Sequence, residues 1–367
     1  MKLTNYWWLL IWLFTGGAFL ALAVPKQKER ICGKTEYRWH WLPAMALALP
    51  YLIWAAYRTN FGDTYTYIRS FQEAPAALSQ LGSYVMEASK DKGFWTLIVL
   101  IKALITESPV VYFAIIAAIQ IWCMVLVFRK YSPNYWMSMF LFVVSTDYLS
   151  WMQNGMRQFL AVTLIFAGFE LMLKKKYLPL ILIILLVSTI HGSALIMLPI
   201  VFIVQGKALN KKTVLTLAAM LLAVLMIDQF TPLLNDLLQE TQYSDMMTNE
   251  IWANDDGTNI LRVLVYSAPA LVAIVGRRYV WRANDPVMNI CVNCSLITMG
   301  LYAVAAVSSG IYVGRLPIYT TLMGYMSLPW LIDQMFVKKS AQLVNAVIVF
   351  LFLVFFYFQM HFTWGML

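Results

Sequence analysis

A chain of 367 residues that is 61% hydrophobic and only 12% charged departs from ordinary soluble proteins, which run nearer half apolar and a quarter charged. Its net charge of +9 would suggest nucleic acid in a soluble protein, but here the placement of charge between apolar runs matters more. Composition excludes a soluble Rossmann or TIM-barrel enzyme, a single-pass receptor and an outer-membrane barrel; it leaves an all-α, polytopic integral membrane bundle.

In chain order, membrane spans are expected near 6–24, 40–56, 109–128, 134–149, 157–173, 177–190, 192–205, 213–228, 259–276, 286–304, 316–332 and 341–360, about twelve in all. The first is read as a retained span: it lacks a basic leader region, and Pro25 opens a charged loop. The segment 94–106 is apolar but short and carries Lys102, so it is expected to be a half-helix in the outer leaflet. The apolar run 177–205 is too long for one span and short for two, with basic residues on both sides. A hairpin fits it best. Each arm of about 14 residues rises about 21 Å against a core of about 30 Å, which would recess its His191-Gly192 apex inside the membrane.

Basic clusters punctuate the spans: Lys26/Lys28/Arg30/Lys34/Arg38, Arg129/Lys130, Lys174–Lys176, Lys207/Lys211/Lys212, Arg277/Arg278/Arg282 and Lys338/Lys339. Placed on one side, they hold two thirds of the 27 Lys and Arg, and the other side then carries most of the 18 acids. The positive-inside rule makes the basic side cytoplasmic and both termini extracytoplasmic. Outer regions 57–93 and 229–258 are large enough to form structure, and residues 1–367 are expected to make a single membrane domain. Cys291 and Cys294 form a CxxC, but within an apolar run and with no second pair; packing explains them better than redox chemistry or zinc.

Charged groups at membrane depth are costly and line cavities or pair with one another. Four clusters fit that description, all on the outer side. Arg58, Asp63 and Tyr67 leave the second span, with Asp63 and Tyr67 four residues apart. Asn154, Arg157 and Gln158 put two amides and a guanidinium on one helix face at the start of a span, where free N–H groups attract anions. His191 and Ser193 occupy the recessed apex, and Arg315 and Tyr319 begin the eleventh span. Each has a plainer reading: an interfacial aromatic belt, an arginine reaching the headgroups, or a structural histidine. Asp147 and Arg262, near outer span ends, read as surface charges.

Arginine forks suit phosphate better than sugar hydroxyls. Arginines, a histidine and few carboxylates together point to a lipid-linked phosphate or diphosphate entering from the bilayer. The chain has no phosphate-binding glycine loop, DxD, HExxH or GxSxG, which disfavours sugar-nucleotide transfer, metalloprotease and serine hydrolase readings. Asp255-Asp256 reads as a solvated acidic loop.

At these residues the chain resembles the EpsG-like branch of the Wzy-type polysaccharide polymerases. The resemblance rests on R-x4-D-T-x2-Y (Arg58, Asp63, Thr64, Tyr67), N-x2-R-Q-x2-A (Asn154, Arg157, Gln158, Ala161), H-x-S-A (His191, Ser193, Ala194) and a late R-x3-Y (Arg315, Tyr319), in the family's order over nearly the whole chain. It implies a GT-C-like glycosyltransferase of the bacterial cytoplasmic membrane, with its active site on the extracytoplasmic side. Such an enzyme joins oligosaccharide repeat units carried on undecaprenyl diphosphate and releases the carrier. It implies no cofactor, nucleotide sugar or metal, and no nucleic acid. Donor and acceptor lipid-linked glycans are the partners, with membrane lipids, a chain-length regulator and a flippase around them.

The chemistry read from the residues agrees. Arg157, Arg315 and Arg58 would stabilise the departing diphosphate, and His191 would act as base near neutral pH, with Asp63 its rival. Tyr67, Asn154, Gln158, Ser193 and Tyr319 would bind diphosphate or glycan. Inversion is expected, since single displacement needs no enzyme nucleophile. An O-antigen-ligase-like transferase would share the donor. A flippase would spread its polar groups through the midplane, and an acyltransferase would need an acyl-donor motif.

Overall fold

The computed structural model describes residues 6–59, 61–226, 257–310 and 312–365. The outer region expected at 229–258 thus lies almost wholly outside the described residues, Asp255-Asp256 included. Among the described residues the regular structure is helical apart from one antiparallel hairpin, β1 (Gln27–Ile31) and β2 (Lys34–Arg38), paired from Gln27–Arg38 to Ile31–Lys34. That hairpin stands where only a basic loop was expected. Cys32 and Gly33 turn it with φ of 48° and 84°, the double positive φ that a two-residue hairpin loop requires.

Among the described residues, four helices are individually long and apolar enough to cross a membrane: Tyr6–Ala23, Pro109–Tyr131, Pro286–Val307 and Lys338–Thr363. Ile260–Val275 and Arg277–Ala283 pass the same test together as a pair bent by 73°, the geometry of a broken span or a re-entrant loop. Several other expected spans are shorter apolar helices. Their interruptions have identifiable causes: a π-turn over Tyr148–Asn154 lies between Tyr135–Val144 and Met156–Ala167, and Gly168 separates Met156–Ala167 from α9 (Phe169–Leu173).

The chain packs as two compact units, Met1–Leu195 with Phe336–Leu367, and Ile196–Met335. In the first, α1 (Tyr6–Ala23), α2 (Trp41–Ala56), α6 (Pro109–Tyr131), α7 (Tyr135–Val144) and α8 (Met156–Ala167) form the apolar frame. Aromatic donors stitch it to backbone carbonyls. Trp12 donates to Leu47 O at 3.0 Å, Trp136 to Leu13 O at 2.7 Å, Tyr135 to Ala44 O at 2.8 Å and Tyr51 to Leu9 O at 2.7 Å. In hydrocarbon such polar tips need an internal partner. The hairpin is clasped to the end of α6 by Arg129 on Glu29 and by Arg38 Nε on Lys130 O at 3.0 Å.

Between α2 and α6 the chain forms α3 (Thr64–Glu73), α4 (Leu81–Glu87) and α5 (Lys92–Leu104). The half-helix expected over 94–106 is α5. It buries Phe94, Ile98, Val99 and Ile101 against Phe71, Tyr112 and Leu160. Lys102, out of place in an apolar segment, donates to Gln72 O at 2.7 Å and Ala74 O at 2.5 Å. It neutralises the carbonyl end of α3, where a cation is favoured.

The second unit contains α11 (Met197–Ile203), α12 (Lys211–Leu225), α13 (Ile260–Val275), α14 (Arg277–Ala283), α15 (Pro286–Val307) and α16 (Ile318–Met335). α12, α13 and α16 all pack on α15. Small polar residues join α15 to α16, with Ser295–Ser327 at 3.2 Å and Thr298–Thr320 at 2.7 Å, as close-packed membrane helices favour. Cys291 and Cys294 are fully buried in this core.

Candidate active site

The loop after α2 carries the first motif, and its geometry is set by glycine. Gly62 has φ +48°, and a Cβ there would stand 2.0 Å from Asn154 Oδ1. That close approach lets Asp63 N–H donate to Asn154 Oδ1 at 2.8 Å. The first and second motifs therefore meet through backbone and amide. Asp63 itself is exposed at the start of α3, while Tyr67, one turn on, is buried. The expected shared face of Asp63 and Tyr67 is thus split between solvent and core. The Tyr67 hydroxyl accepts from Arg157, and burial holds its pKa above the usual phenol value.

Arg58 is only 6% exposed. Its Nη1 donates to Met152 O at 3.2 Å and Gln153 O at 2.9 Å, and its guanidinium lies 3.7 Å from the Phe113 ring centroid. It was expected to face the ligand. Its observed hydrogen bonds make it a staple on the carbonyls of the π-turn that ends at Asn154. Single π-turns recur at functional sites because they re-aim a side chain. Burial lowers the Arg58 pKa to about 10, with nearby tyrosines opposing; it stays cationic at neutral pH. Gln153, in the same π-turn, donates to Tyr6 OH at 2.9 Å. Asp147, just before that turn, is fully buried, which corrects its reading as a surface charge.

Arg157 lies at the start of α8, 27% exposed at its side chain. Its Nη1 donates to Asp91 Oδ2 at 2.9 Å, and its guanidinium lies 5.7 Å and 5.9 Å from the Phe94 and Trp95 rings. Asp91, Phe94 and Trp95 were not picked out from sequence. Gly93 brings them there: its N–H donates to Thr189 O at 2.8 Å, and a Cβ would stand 2.1 Å from Thr189 Oγ1. The start of α5 is thereby seated on the turn leading into His191. A Gly-Phe-Trp following a polar loop was the available signal, and it shows only a helix start.

The apolar run 177–205 breaks where expected. α10 (Tyr177–Ser188) ends, and a 3-10 turn over Gly192–Ile196 follows. α10 rises about 18 Å, well short of a bilayer core. His191 Nδ1 lies 2.7 Å from Ser193 Oγ, and Gln158 Nε2 donates to that oxygen at 3.3 Å. Gln158, Ser193 and His191 thus form one chain of polar contacts beside Arg157. If Nδ1–H donates to Ser193, Nε2 carries the lone pair a base requires.

Arg315 and Tyr319 belong to the second unit. Arg315 ends a 3-10 turn, Val313–Arg315, and is exposed; Tyr319 is 3% exposed. The pair expected to share one helix face is divided between two elements, the 3-10 turn and the helix that follows. Pro317 has no N–H to donate, and the helix begins only at Ile318. Among the described residues no group of three or more His, Cys, Asp or Glu is arranged to hold a metal ion.

Neither the curated proteins nor the solved structures contain a match to the chain. A family model described as the EpsG family matches residues 41–365. That span takes in every motif described above and most of the chain, so the chain belongs to the EpsG family, the EpsG-like branch of the Wzy-type polysaccharide polymerases.

Proposed function

We propose that this protein polymerises lipid-linked oligosaccharide repeat units at the outer face of the bacterial cytoplasmic membrane, releasing undecaprenyl diphosphate. The whole chain serves as one polytopic membrane domain in this reading. The observation that carries it is the pairing of two chemistries in the first unit. A partly exposed guanidinium at a helix start sits beside a Gln158–Ser193–His191 chain. The first suits a departing diphosphate and the second an acceptor hydroxyl.

Diphosphate is already a good leaving group, and its departure builds negative charge that Arg157 and the N–H groups opening α8 stabilise. His191 Nε2 takes the acceptor hydroxyl proton as that oxygen attacks the anomeric carbon from the opposite face. The bond to the diphosphate oxygen breaks in the same step, so configuration inverts. Asp63, exposed at the rim, and Tyr67 position the glycan. Asn154, Gln158 and Ser193 orient the reacting groups, and Arg58 holds the turn that presents them. The reaction as written needs no metal. A flippase that delivers the donor and a chain-length regulator are the partners this activity implies.

Purified protein incubated with a lipid-linked repeat unit tests this. A ladder of products is expected; a single product on a foreign acceptor means a ligase, and no covalent change refutes transfer. Arg157→Lys should lower turnover by more than about tenfold despite keeping its charge, because an ammonium cannot reproduce a two-pronged planar contact. Near-normal polymerisation by that variant would make Arg157 a headgroup anchor.

A further inference from the structure

Asp91 is placed in a way that its helix does not require. It directly precedes α5, where an aspartate ordinarily caps the first turn through its side chain, yet it makes no side-chain cap hydrogen bond. Its backbone is left-handed, with φ 57° and ψ 38°, a conformation that costs a non-glycine residue about 1 kcal/mol or more. The first-turn N–H groups of Phe94 and Trp95 go to its main-chain carbonyl instead, at 2.9 Å and 3.2 Å. The carboxylate is turned the other way, 7% exposed, onto Arg157 Nη1 at 2.9 Å. The Gly192 amide also donates to it, and Lys90 adds positive charge nearby. Burial raises its pKa while these three donors and charges pull it down.

A guanidinium prong and a backbone amide converging on one carboxylate make an anion seat, and the chain fills that seat itself. We infer that Asp91 is a positioning residue that stands in for the ligand's phosphate. In the empty site it holds Arg157 and the Gly192 amide in their working places. An incoming lipid-linked diphosphate takes over both donors, and Asp91 reclaims them as the product diphosphate leaves. This rests on the diphosphate reading of the site given above. Two anions compete for the same donors, so Asp91 weakens binding of the donor substrate and speeds release of the product.

The test uses full-length protein in detergent, with farnesyl diphosphate as the probe in titration calorimetry. Asn tolerates the left-handed region, so Asp91→Asn removes the charge and keeps the backbone. It should tighten probe binding about threefold to tenfold, a range between exposed and buried ion pairs. Arg157→Gln should itself weaken the probe by more than about tenfold, and on that background Asp91→Asn should give a much smaller gain than in the wild type. In polymerisation, Asp91→Asn should lower KM and kcat together, and Asp91→Glu should stay near wild type. If Asn destabilises the protein, Asp91→Gly carries the same expectation, since glycine suits that backbone better still. Unchanged or weaker probe binding by Asp91→Asn, with Arg157→Gln losing the probe, would make Asp91 a structural strut and leave the diphosphate site standing. Wild-type affinity in Arg157→Gln would overturn the diphosphate reading itself, and the inference with it.

Discussion

Replacing Arg58 with methionine separates an organising role from direct contact with the ligand. Methionine keeps most of the length of the side chain and can lie on the Phe113 ring, but it offers no donor. The carbonyls of Met152 and Gln153 would lose the hydrogen bonds they now receive at 3.2 Å and 2.9 Å. Leaving a buried acceptor unsatisfied costs about 1–3 kcal/mol, and the lost guanidinium–ring contact about 1–2 kcal/mol more. Removing a buried cation returns part of that sum. A net loss of about 3 kcal/mol follows, equivalent to roughly 6–12 °C in melting midpoint for a unit of this size. Thermal unfolding of the detergent-solubilised protein measures it, alongside titration with farnesyl diphosphate. The midpoint should fall while probe affinity at low temperature changes by less than about threefold. An unchanged midpoint with probe binding lost would refute the staple and return Arg58 to the ligand.

Gly62→Ala should cost about 2 kcal/mol, from the left-handed backbone and the loss of the Asp63–Asn154 hydrogen bond; it should also slow polymerisation, and a wild-type melting curve would show that the two motifs are not coupled. His191→Gln keeps size and hydrogen bonding but cannot take up a proton, so turnover should fall by about 10²–10⁴-fold with folding intact. Chain growth near wild type in that variant would reduce His191 to orienting the acceptor and leave Asp63 as base. Cys32 is the exposed one of the four cysteines, at the tip of the basic hairpin. A membrane-impermeant maleimide should label it only after cells are opened; labelling of intact cells would invert the topology and place every proposed site residue in the cytoplasm.

Much of this protein was legible without coordinates because hydrocarbon imposes local rules. Apolar run length, the spacing of basic residues and the polar residues stranded among them all lie within short windows of sequence. They mark the helical membrane class, the half-helix at α5, the break at His191 and the motifs around Asn154–Gln158. The second group of facts depends on contacts between residues far apart in the chain. Arg58 and Arg157 look alike in sequence: each is an arginine beside an apolar run with polar neighbours. Whether one is buried on carbonyls and the other left half open is decided by which helices lie across them. Asp91, too, is one acid in a polar loop until Gly93 seats α5 on Thr189 and brings that carboxylate 2.9 Å from a guanidinium 66 residues away. Asp147, equally ordinary by position, is fully buried in the folded chain. Apolar composition and charge bias are one-dimensional quantities read directly from the sequence, whereas the length at which each apolar run stays one helix is not, and several expected spans are shorter, interrupted helices. The burial of a single charge depends on everything packed around it, and only the tertiary structure decided that.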